Sequence, residues 1–199
     1  GNQRVGTTDD VKFANITGSG NISGSFTSTG SFGHITLSEG LEIGGVFKTS
    51  LSNNDLGSGN TIFGKNAGAN LDAGSNNNVF IGENVADHAL MDDCIENIAI
   101  GYGALSALVS GDKNITIGYS AGELISSGSD NILIGDRTGD QATDSEGMVV
   151  IGSGAATAAL TNGSNGLVAI GYQAGAAVTS AAGTTLVGYA AGDSITTGN

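Results

Sequence analysis

The sequence of 199 residues contains no proline, no tryptophan and a single cysteine, Cys94. One cysteine cannot form an intrachain disulfide or a cysteine zinc cluster. Although 35 residues are glycine, the missing proline and the lack of glycine at every third position exclude a collagen triple helix. Aromatic residues make up only 5% of the chain, so a globular core built on aromatic side chains is not expected.

Basic residues and long apolar runs are also scarce. Six Lys and Arg stand against 19 Asp and Glu, which gives a formal net charge of -13. These few scattered cations cannot neutralise a track of phosphates, so we expect neither nucleic acid nor an anionic membrane surface as a partner. No run approaches the ~20 apolar residues that cross a bilayer, so membrane insertion is not expected. The chain begins at Gly1 without a basic-then-apolar leader, and we interpret it as a fragment or a processed product.

The glycines reveal an internal repeat. The dipeptide Ile-Gly or a close variant recurs, and its successive glycines are 18, 19, 17, 17, 17, 19 and 17 residues apart. The residues one and three positions before this glycine are mostly β-branched, which predicts a short strand whose two apolar side chains share one face. The repeat glycines are Gly64, Gly82, Gly101, Gly118, Gly135, Gly152, Gly171 and Gly188.

The other positions of the repeat predict the rest of each coil. The third residue after the glycine is often Ala and the fourth often Gly, which lets the backbone turn tightly. The seventh is apolar in every coil and predicts a second, shorter inward-facing strand before a polar turn. Asparagine, which tolerates a left-handed turn and bonds neighbouring backbone, stands four residues before the glycine in five coils, as Asn60, Asn78, Asn97, Asn114 and Asn131.

A coil of this kind cannot bury its apolar face alone. We therefore predict an all-β solenoid, a β-roll or β-helix, of about eight coils stacked ~4.8 Å apart over residues 57–199. Its interior is expected to be a narrow aliphatic ladder. Residues 1–56 lack the period and carry short strand patterns between Gly and Ser turns. Because they hold too little apolar material for an independent core, we predict an intertwined β stem built by several chains.

Two repeat blocks resemble those of a known class of proteins. Residues 114–122, Asn-Ile-Thr-Ile-Gly-Tyr-Ser-Ala-Gly, and residues 169–175, Ala-Ile-Gly-Tyr-Gln-Ala-Gly, resemble repeats of phage tail fibres, often fibres with an endosialidase-type C-terminal chaperone. They are more distantly similar to the left-handed β-roll heads of trimeric autotransporter adhesins. Residues 20–33 resemble stem sequence of similar viral fibres. The resemblance implies a parallel homotrimer in which three solenoids pack about one axis. The sequence stops in mid-coil at Asn199, so we expect neither chaperone nor receptor-binding tip within it.

All four tyrosines, Tyr102, Tyr119, Tyr172 and Tyr189, directly follow a repeat glycine. Equivalent residues stack in a solenoid, so the tyrosines are expected to form two aromatic pairs. One interpretation is a platform for a glycan or receptor. The other, which we prefer because the coils between the pairs lack tyrosine, is a structural ladder or a trimer contact.

A second cluster of polar residues lies in a 19-residue coil. It matches neither a calcium loop nor zinc Cys/His spacing, so we predict a solvated loop and no metal site. The chain also lacks a phosphate-binding loop and paired catalytic carboxylates, and a Ser-His-Asp triad carries no weight where Ser and Asp are so common. We expect no enzyme, no catalytic residues and no cofactor. The cluster comprises Asp87, His88, Asp92, Asp93, Cys94 and Glu96.

These observations favour a structural segment of a trimeric viral tail or neck fibre that projects a receptor-binding element for host attachment. Its expected partners are copies of itself, other fibre or virion proteins, and a host cell-surface glycan. The alternative is the carbohydrate- or receptor-binding head of a trimeric bacterial surface adhesin. The expected location is the virion surface in the first case and the cell surface in the second.

Overall fold

The computed structural model describes residues 57–160 and 164–197, and these form a β-solenoid of parallel strands. Eight strands of three residues each delimit about seven turns, which confirms the predicted all-β solenoid. No helix long and apolar enough to cross a membrane occurs in the described part of the chain. The predicted stem, residues 1–56, lies outside it. The strands are β1 (Thr61–Phe63), β2 (Val79–Ile81), β3 (Ile98–Ile100), β4 (Ile115–Ile117), β5 (Ile132–Ile134), β6 (Val149–Ile151), β7 (Val168–Ile170) and β8 (Thr185–Val187).

The eight strands pair in sequence order and in perfect repeat register. In the pairing of β4 with β5, Ile115 lies beside Ile132 and Ile117 beside Ile134. The glycine after each strand continues the ladder, since the Gly118 N–H donates to the Ile100 carbonyl at 2.8 Å. Every strand sits in the three positions before a repeat glycine, where the sequence predicted it. Like residues therefore lie above like along the whole sheet.

The core contains the middle residue of each strand. This residue is buried in all eight coils, while the β-branched residues on either side of it are half-buried or exposed. The β-branched pair thus shares one face as predicted, but our expectation that this face lines the interior is wrong. Both faces of each strand are largely apolar, and the narrow interior accommodates one side chain per strand. The inward residues are Ile62, Phe80, Ala99, Thr116, Leu133, Val150, Ala169 and Leu186.

The predicted second strand of each coil is also corrected. Apart from a single bridge between Ser180 and Thr197, the described residues pair as strands only once per coil. The stretch after the small-residue turn still follows its neighbours, since the Val109 N–H donates to the Ser126 carbonyl at 2.8 Å. Its seventh position is buried in five of the eight coils as predicted, but in both 19-residue coils a later residue, Met91 or Leu160, fills the core instead. The two extra residues shift the inward position along the chain.

The repeat asparagines form a buried ladder. Asn114 is fully buried, and its amide nitrogen donates to the Asn97 side-chain oxygen at 3.1 Å and to the Gly128 carbonyl at 2.8 Å. Its own side-chain oxygen accepts the backbone and side-chain N–H groups of Asn131 at 3.2 and 2.9 Å. The predicted bonding to neighbouring backbone is confirmed. The ladder comprises Asn60, Asn78, Asn97, Asn114 and Asn131.

The left-handed turn that we predicted at these asparagines lies one residue earlier. Lys113 has a φ of 55° and Asp130 a φ of 59°, while the asparagines after them do not have positive φ. Of the small residues after the strand, the glycines in the fourth position do take left-handed conformations, with φ of 59° at Gly122 and 55° at Gly139. The correction is a shift of one residue that frees the asparagine side chain for the ladder.

Candidate functional site

The four tyrosines form two stacked pairs on the surface of the solenoid. The ring centroids of Tyr102 and Tyr119 are 5.4 Å apart with planes 9° from parallel, and those of Tyr172 and Tyr189 are 5.4 Å apart at 17°. All four rings are at least 47% exposed. The pairing predicted from the sequence is therefore confirmed, and the rings are accessible on the isolated chain.

The two coils between the pairs carry Asp136 and Ser153 in place of tyrosine. Next to Asp136, the Arg137 guanidinium lies 5.8 Å from the Tyr119 ring centroid. Tyr102 covers one face of Tyr119 from the preceding coil, so Arg137 in the following coil covers the other. The first tyrosine pair is thus closed by the chain itself on the side of the following coil.

An open hollow of about 430 Å³ fills the interruption between the pairs. We call it the inter-tyrosine hollow. Its walls come from three successive coils, and they combine one aromatic ring with charged and amide side chains. This site was not recognisable in the sequence, because its residues are up to 37 positions apart along the chain. The side chains that define it are Asp136, Arg137, Asp140, Gln141, Tyr172 and Gln173.

Asp140 is the residue of this hollow with the most unusual environment. Its Oδ1 atom is shielded from solvent and has no hydrogen-bond partner among the described residues. Burial raises the pKa of the Asp140 carboxyl, and the nearby negative charge of Glu123 raises this pKa further.

A second surface feature is the outward face of the strands, which we call the strand face. It consists of the first and third residue of each strand, and no charged residue occupies any of these positions. Most of its members are isoleucine or valine and are half-buried, while Phe63 and Val187 at the two ends are 67% and 66% exposed. The strand face is a continuous apolar stripe on a chain that is otherwise rich in acidic residues.

Two carboxylates of the predicted polar cluster lie in the 19-residue coil beside a third carboxylate that holds backbone turns in place. Carboxylate oxygens of Asp92 and Asp93 lie within 4.8 Å of each other and of Asp72, which belongs to the preceding coil and was missed in the sequence. The Ser75 hydroxyl donates to Asp72 at 2.6 Å and is the main cause of the lowered pKa of that carboxyl. The Asp93 N–H donates to the same carboxylate at 3.2 Å. Asp72 therefore organises the backbone of its own turn and of the next one.

The remaining members of the predicted cluster do not join these carboxylates. His88 accepts the Leu90 N–H through Nδ1 at 3.2 Å within its own loop. Cys94 points into the core, where its thiol donates to the Val109 carbonyl at 3.1 Å. Among the described residues, the possible ligand atoms of Asp87, His88, Cys94 and Glu96 therefore do not belong to the Asp72, Asp92 and Asp93 group.

We expect Cys94 to react with thiol reagents slowly in the folded protein. Burial is the main cause that raises the pKa of its thiol from 9.0 to about 11, and two pKa units lower the thiolate fraction at pH 8 by about 100-fold. Labelling with a disulfide reagent should be slower than that of a free thiol by at least this factor and should become fast in denaturant. The control is the variant Cys94→Ser with Ser127→Cys, which puts a thiol at an exposed position. Equal rates for the two thiols in the native state would contradict the burial of Cys94.

No protein-family model, curated protein or solved structure matches this chain. What can be said about function therefore comes from the strand face, the tyrosine pairs and the hollow between them.

Proposed function

We propose that this chain is a structural segment of a trimeric viral tail or neck fibre, which projects a receptor-binding element toward the host. Its role is mechanical. The sheet joins every coil to the next by backbone hydrogen bonds, and the asparagine ladder adds a second, side-chain connection along five coils. Its partners are two further copies of the chain and the neighbouring fibre proteins, and its location is the virion surface.

The observation that carries this proposal is the uncharged strand face. Each strand-face residue is covered on its sides by the equivalent residues of the neighbouring coils. This stacking alone accounts for the half-burial of Ile115 and Ile132, and the side of these residues that points away from the solenoid stays exposed. Removing such apolar surface from water stabilises an assembly by roughly 25 cal/mol per Å². A stripe that runs over all eight coils is typical of an interface rather than of a surface in permanent contact with water.

Charge favours copies of the same chain arranged about a common axis. With a net charge of -13 on each chain, copies repel one another unless they meet at an uncharged surface. The strand face is such a surface, and a closed cyclic assembly covers it in every copy. The resemblance to trimeric fibres sets the proposed number of copies at three.

The test is the mass of the protein in solution. We expect sedimentation equilibrium to give three times the chain mass of 19.5 kDa. Replacing Ile117 by Lys places a charge on the strand face and is expected to lower the mass to that of one chain. Leu124→Lys is the matched control, because Leu124 is 44% exposed, lies outside the strands and should leave the trimer intact. A single-chain mass for the unmodified protein, or a trimer that tolerates Ile117→Lys, would contradict the proposed interface.

A second candidate function is the carbohydrate- or receptor-binding head of a trimeric bacterial adhesin, located at the cell surface. The exposed tyrosine pairs favour it, because aromatic faces accessible to solvent suit a ligand ring. Adsorption of the protein to host cells or immobilised glycans separates the two candidates. The double variant Tyr102→Ala and Tyr119→Ala weakens adsorption only if the first pair binds the host directly.

A further inference from the structure

We propose that the inter-tyrosine hollow binds an uncharged pyranose ring of a glycan, with the ring stacked on Tyr172 and its hydroxyl groups bound by Asp136, Asp140 and Gln173. This inference goes beyond the scaffold function and does not depend on it.

The first argument is the interruption of the aromatic row. Tyr119 and Tyr172 are three coils apart, which places their ring planes about 14 Å from each other. Within each pair the centroids are only 5.4 Å apart, so a paired tyrosine leaves no room for a ligand between the rings. The two coils with Asp136 and Ser153 open a space in which a flat ring can take the position of a missing aromatic side chain.

The second argument is the difference between the two ends of this space. Arg137 covers the near face of Tyr119, so that face is occupied by the chain itself. Tyr189 covers the far face of Tyr172, while the near face of Tyr172 borders the hollow, and no ring or cation of the described residues stacks on it. A rigid aromatic face that is open to solvent and backed by a second ring is a suitable platform for the apolar face of a sugar.

The third argument is the set of polar groups around that platform. Asp136, Asp140, Gln141 and Gln173 place carboxylate and amide groups next to the ring, and these accept from and donate to vicinal hydroxyls. Asp140 is half-buried and lines the hollow beside Gln141, so its side chain borders a ligand that occupies this space. A volume of about 430 Å³ lies within the range of small-ligand sites, and the mainly polar walls suit a ligand rich in hydroxyl groups.

Charge selects among sugars. Asp136 and Asp140 line the hollow and Glu123 lies close enough to raise the pKa of Asp140, so three carboxylates outnumber the one cation in the lining, Arg137. A carboxylate-bearing sugar such as a sialic acid or a uronic acid is repelled by this local excess of negative charge. The hollow is open, so we expect millimolar affinity for a single ring and stronger binding when several sites engage a polymer at once.

Saturation-transfer NMR on the full chain tests this proposal. The probes are the methyl pyranosides of glucose, galactose, mannose and N-acetylglucosamine, with methyl glucuronide and sialic acid as anionic controls. We expect saturation transfer to at least one neutral pyranoside at millimolar concentration and none to the anionic sugars. Absence of transfer to all neutral probes, or stronger transfer to the anionic ones, overturns the proposal.

Variants locate the binding. Tyr172→Ala should abolish saturation transfer and Tyr172→Phe should retain it, because the ring face rather than the hydroxyl forms the platform. Tyr102→Ala is the matched control, since Tyr102 has the same position in its coil but does not line the hollow. If Tyr172→Ala does not fold, Asp140→Ala should still reduce the transfer several-fold. Transfer that survives both Tyr172→Ala and Asp140→Ala overturns the assignment of the site.

The two sets of experiments distinguish failure of the glycan site from failure of the proposed function. If the protein is a trimer that binds no pyranoside, the scaffold proposal stands and the glycan site is refuted. If it is a single chain that binds a pyranoside through Tyr172, the trimer is refuted and the glycan site stands.

Discussion

Replacing Gly118 by alanine is expected to destabilise the solenoid by about 3–5 kcal/mol, a large part of the stability of a typical domain. Gly118 has a φ of 142°, a conformation that alanine adopts only with strain. A Cβ atom added there would lie closer than 3.0 Å to the carbonyl oxygen of Gly135 in the next coil. The two coils would have to separate, although the Gly135 N–H donates to the Ile117 carbonyl at 2.8 Å.

Gly188→Ala isolates the contribution of stacking. Gly188 has nearly the same φ, 134°, but a Cβ atom added there meets only the Ala191 Cβ at 3.8 Å. Its replacement therefore carries the backbone strain without the clash between coils, and we expect a loss of about 1–3 kcal/mol. Urea unfolding followed by circular dichroism, at one protein concentration for all variants, measures both free energies. Equal losses at Gly118 and Gly188 would show that coil contact does not explain the repeat glycine.

This steric requirement is the reason why the fold was predictable. Because each coil lies directly on the previous one, the same position must be glycine in every coil, and the spacing of these glycines reveals the repeat. The residues before the glycine then give the strand bounds, which the structure places at the same positions, as at Ile115–Ile117 before Gly118. Short-range patterns sufficed because contacts between coils repeat with the sequence.

The orientation of the strands was not predictable from the same pattern. Alternate β-branched residues show that two side chains share a face, but they do not show which face is inside when the residue between them is also apolar. Leu133 lies between Ile132 and Ile134, and all three are compatible with a core. The width of the interior decides which face of the strand lies inside, and this width depends on the turns of the whole coil. The strand face could therefore be recognised only in the structure.

The candidate site was predictable in part for a similar reason. Stacking of the tyrosines follows from their common position, so both pairs could be expected. The hollow exists because the two intermediate coils have no tyrosine at the common position. Its walls include Asp140 and Gln173, which lie in different coils and are far apart in the sequence. The same holds for Asp72, which joins Asp92 and Asp93 only because successive turns lie one above the other.

The buried asparagine ladder leads to the second large effect. We expect Asn97→Leu to destabilise the solenoid by about 3–9 kcal/mol, because three buried groups lose their partners at about 1–3 kcal/mol each. The Asn97 amide donates to the Gly111 carbonyl at 2.8 Å, and its side-chain oxygen accepts the backbone and side-chain N–H groups of Asn114 at 3.0 and 3.1 Å. Leucine replaces none of these bonds, and water has no access to the fully buried ladder.

The end of the ladder provides the control, because the chain itself changes there from asparagine to apolar residues. Asn131 is followed in the next coils by Met148 and Leu167 in the equivalent position, so an apolar side chain fits the space. Asn131→Leu removes the side-chain bonds to the Ser145 carbonyl and the Met148 N–H, and no asparagine follows it whose side chain would also lose a bond. We therefore expect a smaller loss for Asn131→Leu than for Asn97→Leu in the same urea experiment. If both variants lose the same free energy of unfolding, the loss comes from the shape of the new side chain and not from interrupting a continuous row of hydrogen bonds. In that case the ladder does not couple one coil to the next.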